Sequence, residues 1–329
     1  MTSTARFLIV VLLSLSPLLL MSVAHADEKD IWLNSKYEPT HVDMELKQVS
    51  PHVYYVQGPP GAPTDFDGFM SNAAVVITKN EIVVFDALGT PSLAYLLLSK
   101  IRAVSDKPIK TVIVSHYHAD HIYGLQVFKE LGAKIIAPIG AKDYLASDTA
   151  EGRLKERRES LFPWVNENTY VVKPDQYIEQ VTTLSIGDVQ LEIHPLGSTH
   201  SNGDQSVYIK PDRVLLAGDL MFEGRIPFVA GSTPQHWLEN LKAIDPKDIS
   251  VVVPGHGPAS THPVEAVRFT QDYLEYLMEK MGAAVEELTP FDEAYKATDW
   301  SRYEKMPAFQ ANRMNAYFMF LGLEAQSMK

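Results

Sequence analysis

Residues 116–121 read His-Tyr-His-Ala-Asp-His, three imidazoles and a carboxylate within six positions. They follow directly on Thr111-Val112-Ile113-Val114-Ser115, an apolar, β-branched run that predicts a buried strand. A cluster of this kind at the end of a strand serves to hold metal. A metal held at a strand-to-helix turn can activate water. The chain is thereby constrained to bring a metal centre to a sheet edge, and the chemistry to expect is that of a metallohydrolase.

The rest of the chain supplies the sheets. Strands are predicted at Val53–Val56, and at Ala73–Ile77 and Ile82–Phe85 as a hairpin around Lys79-Asn80-Glu81. A helix is predicted over Pro91–Arg102. The metal cluster is expected to run on as helix from Ile122 to Leu131, before a short strand at Lys134–Ala137. Residues 139–178 read as a largely helical, polar insertion. In the second half, Thr183–Ile186 and Val189–Ile193 flank the turn signal Gly187-Asp188. Further strands are predicted at Ser206–Ile209, Arg213–Ala217 and Ser250–Val253, with a helix near Gln235–Ile244. Apolar spacing predicts a helix from Pro263 to Met281 and a last one over residues 308–325. Each half is strands followed by helix, which suggests two β-sheets between helical layers.

Three later segments each place a His or Asp after a strand-like run. They are Gly197-Ser198-Thr199-His200-Ser201-Asn202-Gly203-Asp204, Leu215-Leu216-Ala217-Gly218-Asp219, and Val253-Pro254-Gly255-His256-Gly257. With His116–His121 they occur in the order typical of the metallo-β-lactamase-fold superfamily, which this chain resembles over residues 50–260. The resemblance implies an α+β fold, a four-layer αββα sandwich with C-terminal helices added. It implies two metal ions, the first held by His116, His118 and His200, the second by Asp120, His121 and His256, with Asp219 bridging. Zinc suits such nitrogen and oxygen ligands, and so do iron and manganese. A hydroxide held between two metals would attack a substrate carbonyl, with Asp120 orienting it as the catalytic carboxylate. The resemblance also implies that Asp86, at the end of Ile82–Phe85, supports the metal-binding loop from below.

Asp219 sorts the chain within the superfamily. Some β-lactamases of this fold carry Cys at the equivalent place. Gly218-Asp219-Leu220-Met221-Phe222 with Gly224-Arg225 instead looks like the glyoxalase II type. No Lys follows Asp219 closely to hold a β-lactam carboxylate, although Arg225 could substitute. The C-terminal helices lack a basic cluster for glutathione. Gly224-Arg225-Ile226-Pro227-Phe228 behind an export signal looks more like exported metallohydrolases associated with quinoprotein or sulfur-oxidation systems. The expected activity is hydrolysis of an ester, thioester, lactone or β-lactam bond in a small-molecule substrate. An iron-dependent oxidoreductase of the same fold, a dedicated metallo-β-lactamase and a non-catalytic metal-binding module are the alternatives. Two segments are candidates for the pocket: the loop 58–70 with Phe66, Phe69 and Met70, and the insertion with Phe162 and Trp164. His194 falls on the polar face of its strand, His236 and His262 lie near helix starts, and His41 and His52 have no evident partners.

Composition sets the surroundings. Arg6, the apolar stretch Phe7–Met21 and Ala24-His25-Ala26 read as a secretory signal peptide over residues 1–26. A metallo-β-lactamase-like domain over 27–262 and a helical extension over 263–329, packed on the same domain, would follow. The chain has no cysteine, so a metal site must use nitrogen and oxygen, and an exported chain must fold without disulfides. The expected location is the periplasm. A formal net charge of −12 argues against a nucleic-acid partner. No later apolar run reaches spanning length, so no membrane partner is expected once the signal is removed. The sequence does not set the oligomeric state.

Overall fold

Two sheets form around strands that are apolar at nearly every position, such as residues 73–77, 82–85 and 214–222. In the computed structural model, which describes residues 31–328 apart from residue 34, β1 (Lys47–Gln48), β2 (Val53–Val56), β3 (Ala73–Ile77), β4 (Ile82–Phe85), β5 (Ile109–Ile113), β6 (Lys134–Pro138) and β7 (Gln176–Ile178) lie side by side in that order. The first four are antiparallel and the last four parallel. The second sheet holds β8 (Thr182–Ile186), β9 (Val189–Gly197), β10 (Asp204–Ile209), β11 (Val214–Phe222) and β12 (Val251–His256). It is antiparallel except for the β11–β12 pair. The expected signal peptide lies outside the described residues. Among the described residues no helix is long and apolar enough to cross a membrane.

Side chains alternate between the two faces of a strand, so a strand that is apolar throughout must be covered on both sides. Val83, Phe85 and Ile113 from the first sheet meet Leu191, Val207, Leu216 and Val253 from the second in a core between the sheets. Their neighbours Ile82, Val84 and Val112 face the other way, onto Leu93, Leu97 and Ile101 of α1 (Pro91–Val104). On the far side, Leu215, Ala217 and Val252 pack against Trp237 of α6 (Pro234–Ala243) and Leu274 and Leu277 of α7 (Pro263–Glu286). These three apolar layers make four structural layers, helix–sheet–sheet–helix. Burying one Val or Leu side chain contributes about 1.5–3 kcal/mol. Leu97, Val84 and Leu274 are all fully buried. α1 starts at Thr90, whose hydroxyl accepts the Leu93 N–H at 3.1 Å, with Pro91 at the first helical position.

Several boundaries differ from the sequence reading. The helix expected over Ile122–Leu131 is two short pieces, α2 (Ala119–Ile122) and α3 (Leu125–Glu130). The chain turns at Gly124, where a Cβ would sit 1.9 Å from the Ala87 carbonyl, so only glycine permits this approach. The insertion is helical in α4 (Ala141–Ala146) and α5 (Asp148–Ser160), but it ends by adding β7 to the edge of the first sheet. Two C-terminal helices, α8 (Phe291–Ala297) and α9 (Asn312–Ser327), join α6 and α7 on the outer face of the second sheet.

Candidate metal centre

The two sheets are tied together where their strands end, and the tie sets the site. The Asn72 side-chain amide donates to the carbonyls of Pro254 and Gly257, both at 2.8 Å, and its N–H donates to Gly255 at 2.7 Å. From the other side, Gln205 donates through Nε2 to Val114 O at 2.7 Å and through its N–H to Ser115 O at 2.9 Å. These bonds bring the segment after β5, the β9–β10 loop, β11 and the end of β12 to one edge.

All seven candidate ligands meet there. The donor atoms of His116, His118, His200 and Asp219 lie within 4.8 Å of one another, as do those of Asp120, His121 and His256. A tetrahedral metal bound at about 2.0–2.1 Å needs donors about 3.3 Å apart. The observed separations are close to this. His200 Nε2 is 3.0 Å from His118 Nδ1 and 3.2 Å from Asp219 Oδ2. Asp120 Oδ2 is 3.4 Å from His121 Nε2 and 3.3 Å from His256 Nε2. Asp219 reaches both groups: its Oδ2 is 3.2 Å from His200 Nε2 and 3.3 Å from His256 Nε2, and its Oδ1 is 3.2 Å from His121 Nε2. Asp219 lies within β11 and His256 closes β12, so neither follows its strand as the sequence suggested. A Cβ at Gly255 would fall 2.0 Å from Asp219 Oδ1, so β12 leaves room for that carboxylate by having no side chain there.

Three of the rings are held by their far nitrogens. His121 Nδ1 donates to Asp86 Oδ2 at 2.9 Å, and His256 Nδ1 donates to Met70 O at 2.8 Å. His116 Nδ1 lies 2.9 Å from Ser115 Oγ. The Nε2 of each of these three rings is left aimed inward. His116 Nε2, His121 Nε2 and Asp219 Oδ1 are buried without a hydrogen-bond partner. Orphaned polar atoms at such a density are costly unless a common cation satisfies them. The donor set, nitrogen and carboxylate oxygen with no sulfur, fits two divalent ions.

The ligands divide into neutral imidazoles and imidazole–carboxylate pairs. Burial holds the His116 and His118 imidazoles below their ordinary range and takes His200 to about 3, which keeps the lone pairs free. Burial alone would raise Asp120 and Asp219. The charges of His121 and His256 outweigh it, and both carboxyls stay well below the usual range. Burial lowers His121 and His256, but the Asp120 and Asp219 carboxylates overcome it and raise both. Solvent reaches the cluster at Asp120 and His118, both partly exposed. The Asp120 side chain is 24% exposed, whereas that of Asp219 is 4% and those of His116 and His121 are 0%.

Other residues take their places around this opening. Asp86 sits beneath the loop with φ 63°, a left-handed conformation that aspartate tolerates. Asp204 accepts from Thr199 N, Ser201 N and Ser201 Oγ, which pins the loop carrying His200. Arg225 is buried, with Nη1 3.4 Å from His256 Nδ1 and Nε unpartnered. The pocket candidates are corrected in part. Phe69 is buried in the α1-side core, Phe162 projects into solvent, and Trp164 donates to Pro39 O. The loop 58–70 touches the centre through the Met70 carbonyl, and the insertion contributes charge through Arg153 of α5, which helps depress His118. His194 is half-exposed, His236 Nδ1 meets Ser198 O, and His52 pairs with Asp212 and Asp188 away from the centre. Sequence reasoning gave no role to Ser115, Asn72, Asp204 or Gln205. Ser115 could have been noticed as the polar residue between a buried strand and the first ligand.

Comparison with known proteins follows the same line. The family model "Metallo-beta-lactamase superfamily" matches residues 66–256. A metallo-beta-lactamase type 2 of Bacillus cereus is 25% identical over 192 residues, covering 57% of this chain and 67% of that protein. A metallo-beta-lactamase from Pontibacter korlensis superposes with a TM-score of 0.55 at 20% identity, over 71% of this chain and 99% of its own. The stereoselective inverting sec-alkylsulfatase Pisa1 from Pseudomonas sp. reaches a TM-score of 0.66 at 18% identity, over 85% of this chain and 50% of its own, so this chain spans half of that sulfatase. Family match, fold and a clustered His/Asp centre coincide: the chain belongs to the metallo-beta-lactamase superfamily and is an enzyme of its metal-dependent hydrolytic kind.

Proposed function

We propose that this chain is an exported dinuclear zinc hydrolase that cleaves an ester, thioester, lactone or β-lactam bond. The observation that carries the reading is Asp219, whose Oδ2 lies 3.2 Å from His200 in one donor group and 3.3 Å from His256 in the other, with Oδ1 3.2 Å from His121. A single-metal centre has no need of a buried carboxylate shared in this way. Bound zinc would supply an activated water and a Lewis acid for the scissile carbonyl. His116, His118, His200 and Asp219 would hold one ion, and Asp120, His121 and His256 the other. Asp120, the most exposed carboxylate of the set, stands where a reacting group would arrive and can accept a proton or orient the nucleophile. Iron and manganese also suit the donor set.

Arg225 bears on the substrate. Its guanidinium is buried near Asp120 and Asp219. His256 Nδ1 already donates to Met70 O, so Arg225 Nη1 finds no acceptor there. An anionic group on the substrate would satisfy it, as a carboxylated lactam or acid thioester carries. Gly218-Asp219 with Gly224-Arg225 supports a place in the glyoxalase II-like branch, and the apolar stretch Phe7–Met21 before Ala24-His25-Ala26 supports export to the periplasm.

The test is a hydrolysis panel on the mature chain, zinc-loaded and chelator-stripped, with a chromogenic β-lactam, a lactone, a thioester and an alkyl sulfate. Zinc-dependent turnover of a carbonyl substrate supports the reading. Turnover of the sulfate ester alone, or bound iron with oxygen consumption, contradicts it.

A further inference from the structure

Ser115 stands between the buried strand and the first ligand, and both of its donors are committed. Its N–H donates to Asp86 Oδ1 at 2.6 Å and its hydroxyl donates to Asp86 Oδ2 at 2.7 Å. The hydroxyl hydrogen is thus used, and Ser115 Oγ can only accept from His116 Nδ1, 2.9 Å away. The reverse direction would set two lone pairs against each other between Ser115 and Asp86. His116 therefore carries its proton on Nδ1. Asp86 Oδ2 also accepts the Nδ1–H of His121. All four residues are at most 1% exposed, so bulk solvent does not reach any of these bonds.

The family resemblance already implies that Asp86 supports this loop; we infer that Ser115 carries that support to His116 through its hydroxyl, while His121 takes it directly, so that Ser115 is a positioning residue for one metal site only. This rests on the two-metal reading above. His116 Nδ1 has no other partner, so the loss of the hydroxyl leaves its ring free to change tautomer and tilt. Asp86→Asn acts differently. An amide oxygen can still accept the Ser115 N–H, but its NH₂ then meets two donors, the Ser115 hydroxyl and His121 Nδ1–H.

The experiment uses the full mature chain reloaded with two equivalents of zinc, dialysed against a graded chelator series, with bound zinc per chain read by elemental analysis. In Ser115→Ala, one of the two equivalents is expected to be released at about 10–100-fold higher free-zinc concentration than in the wild type, the other unchanged. Asp86→Asn is expected to shift both. Ser115→Thr and Ser115→Val add the same volume and differ by one hydroxyl, so this pair gives the same contrast if the alanine variant folds poorly. Release curves for Ser115→Ala that match the wild type, or equal curves for the Thr and Val variants, overturn the inference alone. A wild-type chain that binds fewer than two zincs overturns the two-metal reading beneath it.

Discussion

Asp86→Ala in the metal-free chain tests how the empty site is held together. The Asp86 carboxylate accepts the Ser115 N–H, the Ser115 hydroxyl and the His121 Nδ1–H, at 2.6, 2.7 and 2.9 Å. It is 1% exposed, so the substitution strands three donors in a volume that solvent does not reach. An unsatisfied buried donor costs about 1–3 kcal/mol, and one water admitted to the vacated space would recover part of that, which leaves a loss of about 3–6 kcal/mol. Relief of the left-handed backbone at residue 86 does not offset this, because alanine tolerates φ 63° less well than aspartate. The assay is guanidinium unfolding in the presence of chelator, followed by far-UV circular dichroism. With m of about 4 kcal/mol/M, the midpoint should fall by about 1 M. Asp106→Ala, at an exposed position, should leave it within about 0.1 M. A midpoint for Asp86→Ala within about 0.2 M of the wild type would refute the claim that this carboxylate organises the site without metal.

Other expectations follow from the same geometry. Asp120→Ala should lower kcat/KM by about 10²–10⁴-fold while the circular dichroism spectrum stays native, and retained full turnover would remove Asp120 from the reacting centre. Arg225→Met should raise KM for an anionic substrate, with a loss in kcat/KM of about 10–100-fold, and leave an uncharged analogue nearly untouched; equal losses for both would mean that Arg225 acts through the fold. His52 is raised by its hydrogen bond to Asp212, against some burial, with the Asp212 and Asp188 charges adding to the rise. A raised histidine stabilises most below its unfolded value of about 6.5, and the gain is lost as pH rises through the folded pKa. The Tm difference between wild type and His52→Gln should therefore shrink as pH rises above about 6.5, and a difference that grows with pH would contradict the assignment.

Much of this centre was legible in the sequence because its residues are locally dense. His116, His118, Asp120 and His121 announce a site by spacing alone, and His200, Asp219 and His256 each sit in a short Gly- or Pro-marked segment. The layers were legible too, since Val112, Val252 and Leu216 lie in runs that only a doubly covered sheet can bury. What was not legible depends on contacts between distant segments. Nothing near Asn72 indicates that it spans to Pro254 and Gly257, nor does Gln205 indicate Val114. The break at Gly124 is imposed by the Ala87 backbone, and β7 exists because β6 offers an open edge. Phe69 reads as a pocket aromatic because loop 58–70 resembles the flap of this fold, and Phe162 and Trp164 because they form an aromatic stretch in the insertion. Their positions are set by a core, by solvent and by the Pro39 carbonyl.

The central claim is that Asp219 completes both donor groups, and metal counting on Asp219→Ala tests it most directly. Elemental analysis of the wild-type chain reloaded with zinc should give about two ions. The same analysis of Asp219→Ala should show both weakened together, whereas His200→Ala weakens one. Asp219→Ala chains that retain two ions at wild-type affinity, or lose only one, would contradict the account.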